Sequence, residues 1–161
     1  MFTEAQRREM IDEIRNLPAR LRERVRGLTD AQLTTHFQPH EWTVAQNVHH
    51  LADSHMNSFI RLRLILTEEH PTLKPYDQHL WAMLADSGTT ALEESLSILD
   101  GLHARWVRLF ESLDDAAWQR SGLHPENGEV TLEDMLQIYA AHGQGHIEQI
   151  GRALAAEKIE N

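Results

Sequence analysis

Apolar residues recur every three or four positions along most of this chain, and this spacing constrains its fold more than any other feature. The first segment carries one such stripe, at Met10, Ile14, Leu17, Leu21 and Val25. This spacing puts the side chains on one face of an α-helix. Residues 43–67, 91–113 and 131–157 carry the same pattern, and only weak β-propensity near Gly128 competes with it. The sequence predicts an all-α fold, a bundle of about four long helices.

Capping residues mark where two of the long helices begin. Thr43 is followed three positions later by Gln46, which matches the capping box. Thr131 stands before another apolar segment and is a typical N-cap residue. We predict loops over residues 70–77 and 121–130, where Pro, Asn and Gly residues accumulate.

Pro18 interrupts the first apolar stripe. Because proline cannot donate a helical hydrogen bond, we predict one helix over residues 3–16 and a second from Pro18 to about Gly27. Short extra helices are predicted after Thr29 and over residues 78–85.

The charge balance and hydropathy exclude several classes of partner. The chain has 161 residues and a net charge of −10, which argues against a nucleic-acid backbone as its main partner. No apolar run approaches the roughly 18 residues of a membrane span. Its first residues lack the apolar segment of a secretory signal, so we expect a cytoplasmic protein. The length is that of a single domain spanning residues 1–161.

Cysteine is absent, whereas histidine occurs 11 times. The absence rules out disulfides, thiolate metal sites and cysteine nucleophiles in this chain. A transition metal would therefore have to be bound by imidazoles and carboxylates.

The most specific local motif is His142-Gly143-Gln144-Gly145-His146. Two histidines four positions apart lie one helical turn apart on one face, where both can bind a single ion. Gly143 occupies the place that Glu holds in the zinc-protease helix, so the protease interpretation fails. Two glycines also destabilise a helix, a cost more easily accepted where something must approach closely. The alternative is a pair of histidines held by ordinary polar contacts.

A second histidine cluster, at His49, His50 and His55, lies in the segment that begins at Thr43. His55 falls on the apolar stripe, His50 on a flanking stripe, and His49 points away. Periodicity alone does not decide which of the three meets the last helix. A bundle metal site needs ligands from facing helices, so two clusters on two long helices favour a metal site over isolated structural histidines. The other histidines, at positions 36, 40, 70, 79, 103 and 124, are interpreted as loop or surface residues.

The chain resembles the DinB-like proteins, specifically their YfiT branch, along nearly its whole length from about residue 10. The resemblance is carried by WTVAQNVHHLADSH (42–55), FIRLRLILTEEHPTLKPYD (59–77), Trp81, LHARWVRLFESL (102–113), HPENGE (124–129) and YAAHGQGHI (139–147). It implies a DinB-type four-helix bundle, often homodimeric, with a divalent metal on three histidines. Zinc and nickel are the metals expected there.

The same resemblance selects the ligands. The family's first ligand lies eight residues after the tryptophan and precedes an aliphatic residue, which is His50 here, with His49 as the alternative. The other two ligands correspond to His142 and His146. Departures at Ala141, Gln144 and Gly145 leave these ligands intact but change the surface expected to contact substrate.

We expect a metal-dependent enzyme acting on a small electrophile. The resemblance implies either a hydrolase, using a metal-activated water, or a thiol S-transferase using a low-molecular-weight thiol such as bacillithiol. Transfer is favoured because the sequence offers no dedicated general base: no Glu follows His142, and Asp53 points away from His50. The opposing class is a non-enzymatic stress protein that binds a metal or a small ligand.

Overall fold

In a computed structural model that describes residues 1–160, with side chains through residue 156, the chain forms a helical bundle with a small hairpin. Its elements are α1 (Glu4–Val25), α2 (Asp30–Thr34), α3 (Val44–Thr67), α4 (Gln78–Ala82), α5 (Glu93–Glu111), α6 (Asp115–Trp118), β1 (Ser121–His124), β2 (Gly128–Thr131) and α7 (Leu132–Glu160). The long helices α1 and α3 each pack against both α5 and α7. The predicted four-helix bundle is therefore confirmed.

Both predicted N-caps are present. Thr43 Oγ1 accepts from the backbone N–H of Gln46 at 3.1 Å, and the Gln46 side chain accepts from the Thr43 N–H at 3.0 Å. Thr131 and Asp134 exchange equivalent bonds at the start of α7. These caps satisfy backbone donors that helix starts otherwise leave unpaired. They fix where the two helices of the candidate site begin.

The predicted break at Pro18 is wrong, because α1 runs without interruption through this buried residue. Proline provides no N–H for the carbonyl of Ile14, four positions earlier. That carbonyl instead accepts a 2.6 Å hydrogen bond from Nδ1 of His103, on α5. A side chain from another helix thus replaces the missing helical donor.

The segment predicted as a loop over 121–130 contains an antiparallel hairpin. Gly128 has a φ of +78°, a conformation that glycine adopts without strain. Leu123 also bonds to the backbone of Pro71 and Leu73, and a Cβ on Gly122 would lie 2.9 Å from the Pro71 carbonyl oxygen. Local pairing of β1 with β2 builds the hairpin, and the bonds of Leu123 attach it to the loop before α4. Helix α6 was also not predicted, and α4 is shorter than expected.

The buried core consists of two apolar clusters along the bundle. One contains Leu21, Val48, Leu99 and Ile150, and the other contains Leu62, Trp106, Phe110 and Leu136. On α3 and α5, His55 and His103 separate the residues of the two clusters, and both are fully buried at 0% and 1% exposure. A polar layer therefore crosses the middle of the bundle.

The outer surface bears on two expectations about partners. Every helix within residues 1–160 is too short or too polar to cross a lipid bilayer. On the outer side of α3, Ile60 is 57% exposed, and its neighbours Met56 and Leu64 are half-buried. This exposed apolar stripe is compatible with the expected homodimer, which stays a prediction.

Candidate metal centre

Three histidines from α3 and α7 converge at one end of the polar layer. His142 Nε2 lies 3.4 Å from His50 Nε2 and 3.2 Å from His146 Nε2. One ring nitrogen of each residue lies within 4.8 Å of the others. Among the described side chains, no other group of three His, Asp or Glu residues is arranged to hold an ion. The structure thus brings together the three histidines predicted as ligands.

The nitrogen separations suit a small divalent ion. Zinc binds imidazole nitrogen at about 2.0–2.1 Å, so two ligands at a tetrahedral angle lie about 3.3–3.4 Å apart. The two measured Nε2 separations are close to this value. The residues present therefore fit a metal of this size.

Asn47, one turn before His50 on α3, fixes the orientation of His146. His146 Nδ1 donates to Asn47 Oδ1 at 2.7 Å. The Asn47 amide is itself oriented, because its Nδ2 donates to the Thr43 carbonyl at 2.9 Å. Since Oδ1 can only accept, the proton of the neutral His146 ring lies on Nδ1, and Nε2 presents a lone pair to the cluster.

All three candidate ligands are held neutral. Burial lowers the pKa of His50 to about 3, with further lowering from His146 and His142. Burial likewise lowers the pKa of His142 to about 3 and that of His146 to about 4. Metal ligation requires an unprotonated ring nitrogen, and this environment supplies it even in mildly acidic solution.

Trp42 covers one side of the cluster. Its ring stacks on His146 with an interplanar angle of 10° and a centroid distance of 6.0 Å, and it lies 4.6 Å from the His50 ring centroid. Aromatic contacts of this kind favour particular ring arrangements. Trp42 thus restricts the rotation of two of the three imidazoles.

A cleft of about 610 Å³ opens beside His142. Its wall comes from α3, α7, the start of α4 with the loop before it, and the hairpin. It is lined by Ser54, Arg61, Pro75, Tyr76, Asp77, Gln78, His79, His124, Glu126, Asn127, Ile138, Tyr139 and His142. The cleft is large enough for a small organic molecule and reaches a histidine of the cluster.

His49, the alternative first ligand, lies outside the cluster. Its Nδ1 is 2.8 Å from Ser95 Oγ on α5, and its Nε2 is 3.1 Å from the Thr89 carbonyl oxygen. Both ring nitrogens therefore have partners on α5 or just before it, away from His142 and His146.

Two histidines interpreted as loop or surface residues are buried. His103 is 1% exposed and His124 is 6% exposed. His103 lies four positions after Leu99 and three before Trp106, so the apolar spacing of α5 already placed it on the buried face. His124 carries no comparable signal, because the hairpin that buries it was not predicted.

The two glycines of the last-helix motif have different surroundings. A Cβ on Gly143 would lie 2.5 Å from Cδ2 of Leu17 on α1, whereas one on Gly145 would meet nothing within 4 Å. The expected close approach is therefore present at Gly143, between α7 and α1. Nothing in the structure explains the glycine at position 145.

These elements and this histidine cluster define a helical bundle with a candidate metal centre, and the comparison with known families identifies its class. The DinB superfamily profile matches residues 13–150. The chain belongs to this superfamily.

Curated relatives place the chain within one branch of the superfamily. It is 44% identical over 150 residues to "Putative metal-dependent hydrolase YfiT" of Bacillus subtilis, covering 92% of this chain and 84% of the relative. It is 45% identical over 151 residues to the similarly named GK0616 of Geobacillus kaustophilus, with the same coverage. The predicted resemblance to YfiT is confirmed.

Solved structures agree with the fold. YfiT from Bacillus subtilis, described as a probable metal-dependent hydrolase with an unusual four-helix bundle topology, matches with a TM-score of 0.91 and 42% identity. That match covers 95% of this chain and 88% of YfiT. The mycothiol-dependent maleylpyruvate isomerase matches with a TM-score of 0.70 at 17% identity, covering 94% of this chain and 64% of the isomerase. At this identity the isomerase shows a shared fold alone.

Proposed function

We propose that this protein is a metal-dependent enzyme in which His50, His142 and His146 hold one divalent ion, zinc or nickel. The observation that carries the proposal is the convergence of three Nε2 atoms from neutral rings, of which His50 is buried and His142 and His146 are half-buried. His142 Nε2 faces both His50 Nε2 and His146 Nε2. A single N–H on His142 could bond to only one of them, whereas one ion accepts lone pairs from all three.

His50, His142 and His146 would hold the ion, and it would supply Lewis-acid chemistry that lowers the pKa of a bound water or thiol. The cleft reaches the cluster at His142. The residues of the cleft would bind and orient the small molecule that reacts there. Tyr76 and Tyr139 provide aromatic surface, and Arg61 provides positive charge.

Thiol transfer is the first candidate reaction. The thiol loses its proton to solvent, its sulfur forms a bond to an electrophilic carbon, and the leaving group departs with the electron pair of the broken bond. The cluster favours this reaction because it consists of histidines alone. Once deprotonated, a thiol needs no general base, and this chain has no cysteine that would compete for the electrophile.

Hydrolysis is the second candidate, favoured by the names of relatives that are 44% identical. Water would add across the scissile bond, and a group of the cleft would accept its proton. Of the two carboxylates that line the cleft, Asp77 already caps α4 through Oδ1. Glu126 is the remaining one for this role.

Metal content tests the ligand assignment. We expect about one divalent ion per chain in the purified protein, and loss of that ion in His142→Ala and His146→Ala. His49→Ala is the matched control, because it removes a neighbouring buried imidazole that faces α5. Full metal content in both ligand variants would refute the site.

A turnover assay separates the two reactions. Zinc-loaded and nickel-loaded protein would be assayed with a monohalobimane in the presence and absence of bacillithiol, and with simple esters. Thiol-dependent turnover that is lost in His50→Ala and kept in His49→Ala would support transfer. Ester turnover without thiol would support hydrolysis instead, and tight metal binding without either activity would indicate the non-enzymatic class.

A further inference from the structure

Three imidazoles and one backbone carbonyl form a continuous line of hydrogen bonds behind the candidate metal centre. His142 Nδ1 lies 3.1 Å from His55 Nε2, and His55 Nδ1 lies 2.8 Å from His103 Nε2. His103 Nδ1 lies 2.6 Å from the Ile14 carbonyl oxygen. We call these three histidines the imidazole chain. It connects α7, α3, α5 and α1 in turn.

The carbonyl at the end of the line determines which nitrogen carries each proton. A carbonyl oxygen only accepts, so the proton of His103 lies on Nδ1. His55 and His103 are fully buried, at 0% and 1% exposure, and their ring nitrogens contact imidazoles and a backbone carbonyl rather than a carboxylate. A buried imidazole without a counter-charge is neutral, so each ring holds one proton. His103 Nε2 is therefore an acceptor, and the His55 proton lies on Nδ1.

The same reasoning continues to the metal centre. With its proton on Nδ1, His55 offers an acceptor at Nε2, so His142 donates from its own Nδ1. The lone pair of His142 is then left on Nε2, the atom that faces His50 and His146. The opposite order would place two lone pairs, on His103 Nδ1 and the Ile14 oxygen, 2.6 Å apart.

Pro18 explains why this carbonyl is available. In a helix without proline at position 18, the Ile14 carbonyl would accept from the N–H of that residue, which proline lacks. A buried carbonyl without a donor is costly, so this position of α1 stabilises His103 with Nδ1 protonated.

We propose that His55 and His103 are positioning residues that hold His142 with its proton on Nδ1 and its Nε2 lone pair directed at the ion. The role toward the ion rests on the proposed metal site, whereas the order of protons does not. Asn47 has the same role for His146 through a single hydrogen bond. Residues that orient metal-bound histidines typically affect metal affinity 10- to 100-fold.

Nitrogen NMR of protein labelled in the histidine rings tests the proton order directly. In metal-free wild type at neutral pH, we expect His55, His103 and His142 each to be protonated at Nδ1. An Nε2-protonated His142 in the metal-free protein would overturn the proposal, whatever the protein's metal affinity.

Zinc affinity of three variants tests the positioning role. His103→Phe keeps a ring in place but removes both the donor to Ile14 and the acceptor for His55. We expect a mixture of His142 tautomers and a 10- to 100-fold loss of zinc affinity. His103→Gln offers an amide donor and a carbonyl acceptor, and should recover most of the affinity. His49→Phe removes a buried imidazole between α3 and α5 that is not part of the imidazole chain, and it should bind zinc as wild type does.

The outcomes separate this proposal from the metal site. Equal zinc affinity in His103→Phe and His49→Phe, with the His142 tautomer unchanged in both, would overturn the positioning role. If folded His103→Gln does not bind zinc more tightly than His103→Phe, the positioning role is also refuted. A wild type that binds no zinc yet shows the Nδ1 pattern would refute the metal site while supporting the proton order.

Discussion

The bundle buries two polar groups of opposite character, the histidine cluster in its middle and an ion pair near the start of α1. Arg7 donates from Nε and Nη2 to Glu133 Oε1 at 3.0 and 2.8 Å, and from Nη1 to Asp115 at 2.8 Å. The N–H of Phe2 donates to the same Glu133 oxygen. Here charges of opposite sign meet, and every contact joins a donor to an acceptor.

In the cluster of His50, His142 and His146, by contrast, the nitrogens that face one another are not all paired donor to acceptor. The Nε2 atoms of His50, His142 and His146 face one another, while the rear nitrogens of His142 and His146 are hydrogen-bonded. A buried polar group that the chain satisfies completely contributes to stability or specificity. One that directs several acceptors at one point indicates a ligand from outside the chain.

The largest expected effect is on the ion pair. Glu133→Gln leaves the Arg7 guanidinium buried without its main counter-charge, so the free energy of unfolding should fall by about 3–5 kcal/mol. Zinc affinity should not change. Asp115→Asn is the control, because this partner is 90% exposed and should cost at most about 1 kcal/mol. Urea unfolding and metal titration measure both quantities, and loss of zinc binding in a folded Glu133→Gln would contradict the separation of the two groups.

The next largest effect is on how the free energy of unfolding depends on pH. The folded pKa values of His50, His142 and His146, about 3, 3 and 4, lie below the unfolded value of about 6.5. Between these values the unfolded chain binds more protons, so the contribution of the three rings to stability is complete above pH 6.5 and is lost progressively as the pH falls towards 3. At pH 5.5 each histidine should lower the free energy of unfolding by about 1.4 kcal/mol relative to its value at high pH, or roughly 4 kcal/mol for the three.

Urea unfolding of the metal-free protein from pH 7.5 to pH 5 measures this loss. A ligand variant such as His146→Ala should show a shallower dependence in the same range. Identical slopes for wild type and variant would contradict the pKa values assigned to the cluster. The ion pair provides the contrast, because the pKa of Arg7 is raised and that of Glu133 is lowered, both away from this range.

A smaller effect is expected on the hydrogen bond behind His146. Asn47→Ala removes the acceptor of its Nδ1 proton and should weaken zinc binding 10- to 100-fold with all three ligands retained. Asn57→Ala is a matched control on the same helix, because Asn57 donates to the Asp53 carbonyl as Asn47 donates to that of Thr43. Both variants lose this backbone contact, so equal zinc affinity in the two would refute the orienting role of Asn47.

The local parts of this fold were predictable, and the parts that depend on distant contacts were not. Capping residues next to apolar stripes, as at Thr43 and Thr131, determine helix starts within a few positions of the chain. The continuity of α1 through Pro18 depends on a donor from His103, which lies 89 positions from the acceptor Ile14. The position of the hairpin likewise involves a distant contact, because Leu123 bonds to the backbone of Pro71 and Leu73.

The candidate site shows the same division. The spacing of His142 and His146 revealed that pair directly, because one helical turn separates them. Periodicity left His49, His50 and His55 open, and only the family resemblance selected His50. The position of His55 on the apolar stripe indicates that its side chain is buried. Its part in the imidazole chain depends on His103 and is therefore seen only when α5 is packed against α3.

The smallest expected effect is on stability, at the two glycines of α7. Gly143 packs closely against α1, whereas Gly145 has free space beside it. Gly145 is exposed, and a methyl group added there would meet nothing within 4 Å, so Gly145→Ala should raise the free energy of unfolding by about 0.5–1 kcal/mol. Gly143→Ala should give no such gain, because its methyl group would lie 2.5 Å from the buried Leu17 side chain. Urea unfolding of the two metal-free variants measures the difference. An equal gain in both would mean that α1 does not constrain α7 beside His142, and would weaken the argument that the packing of the whole bundle orients this ligand.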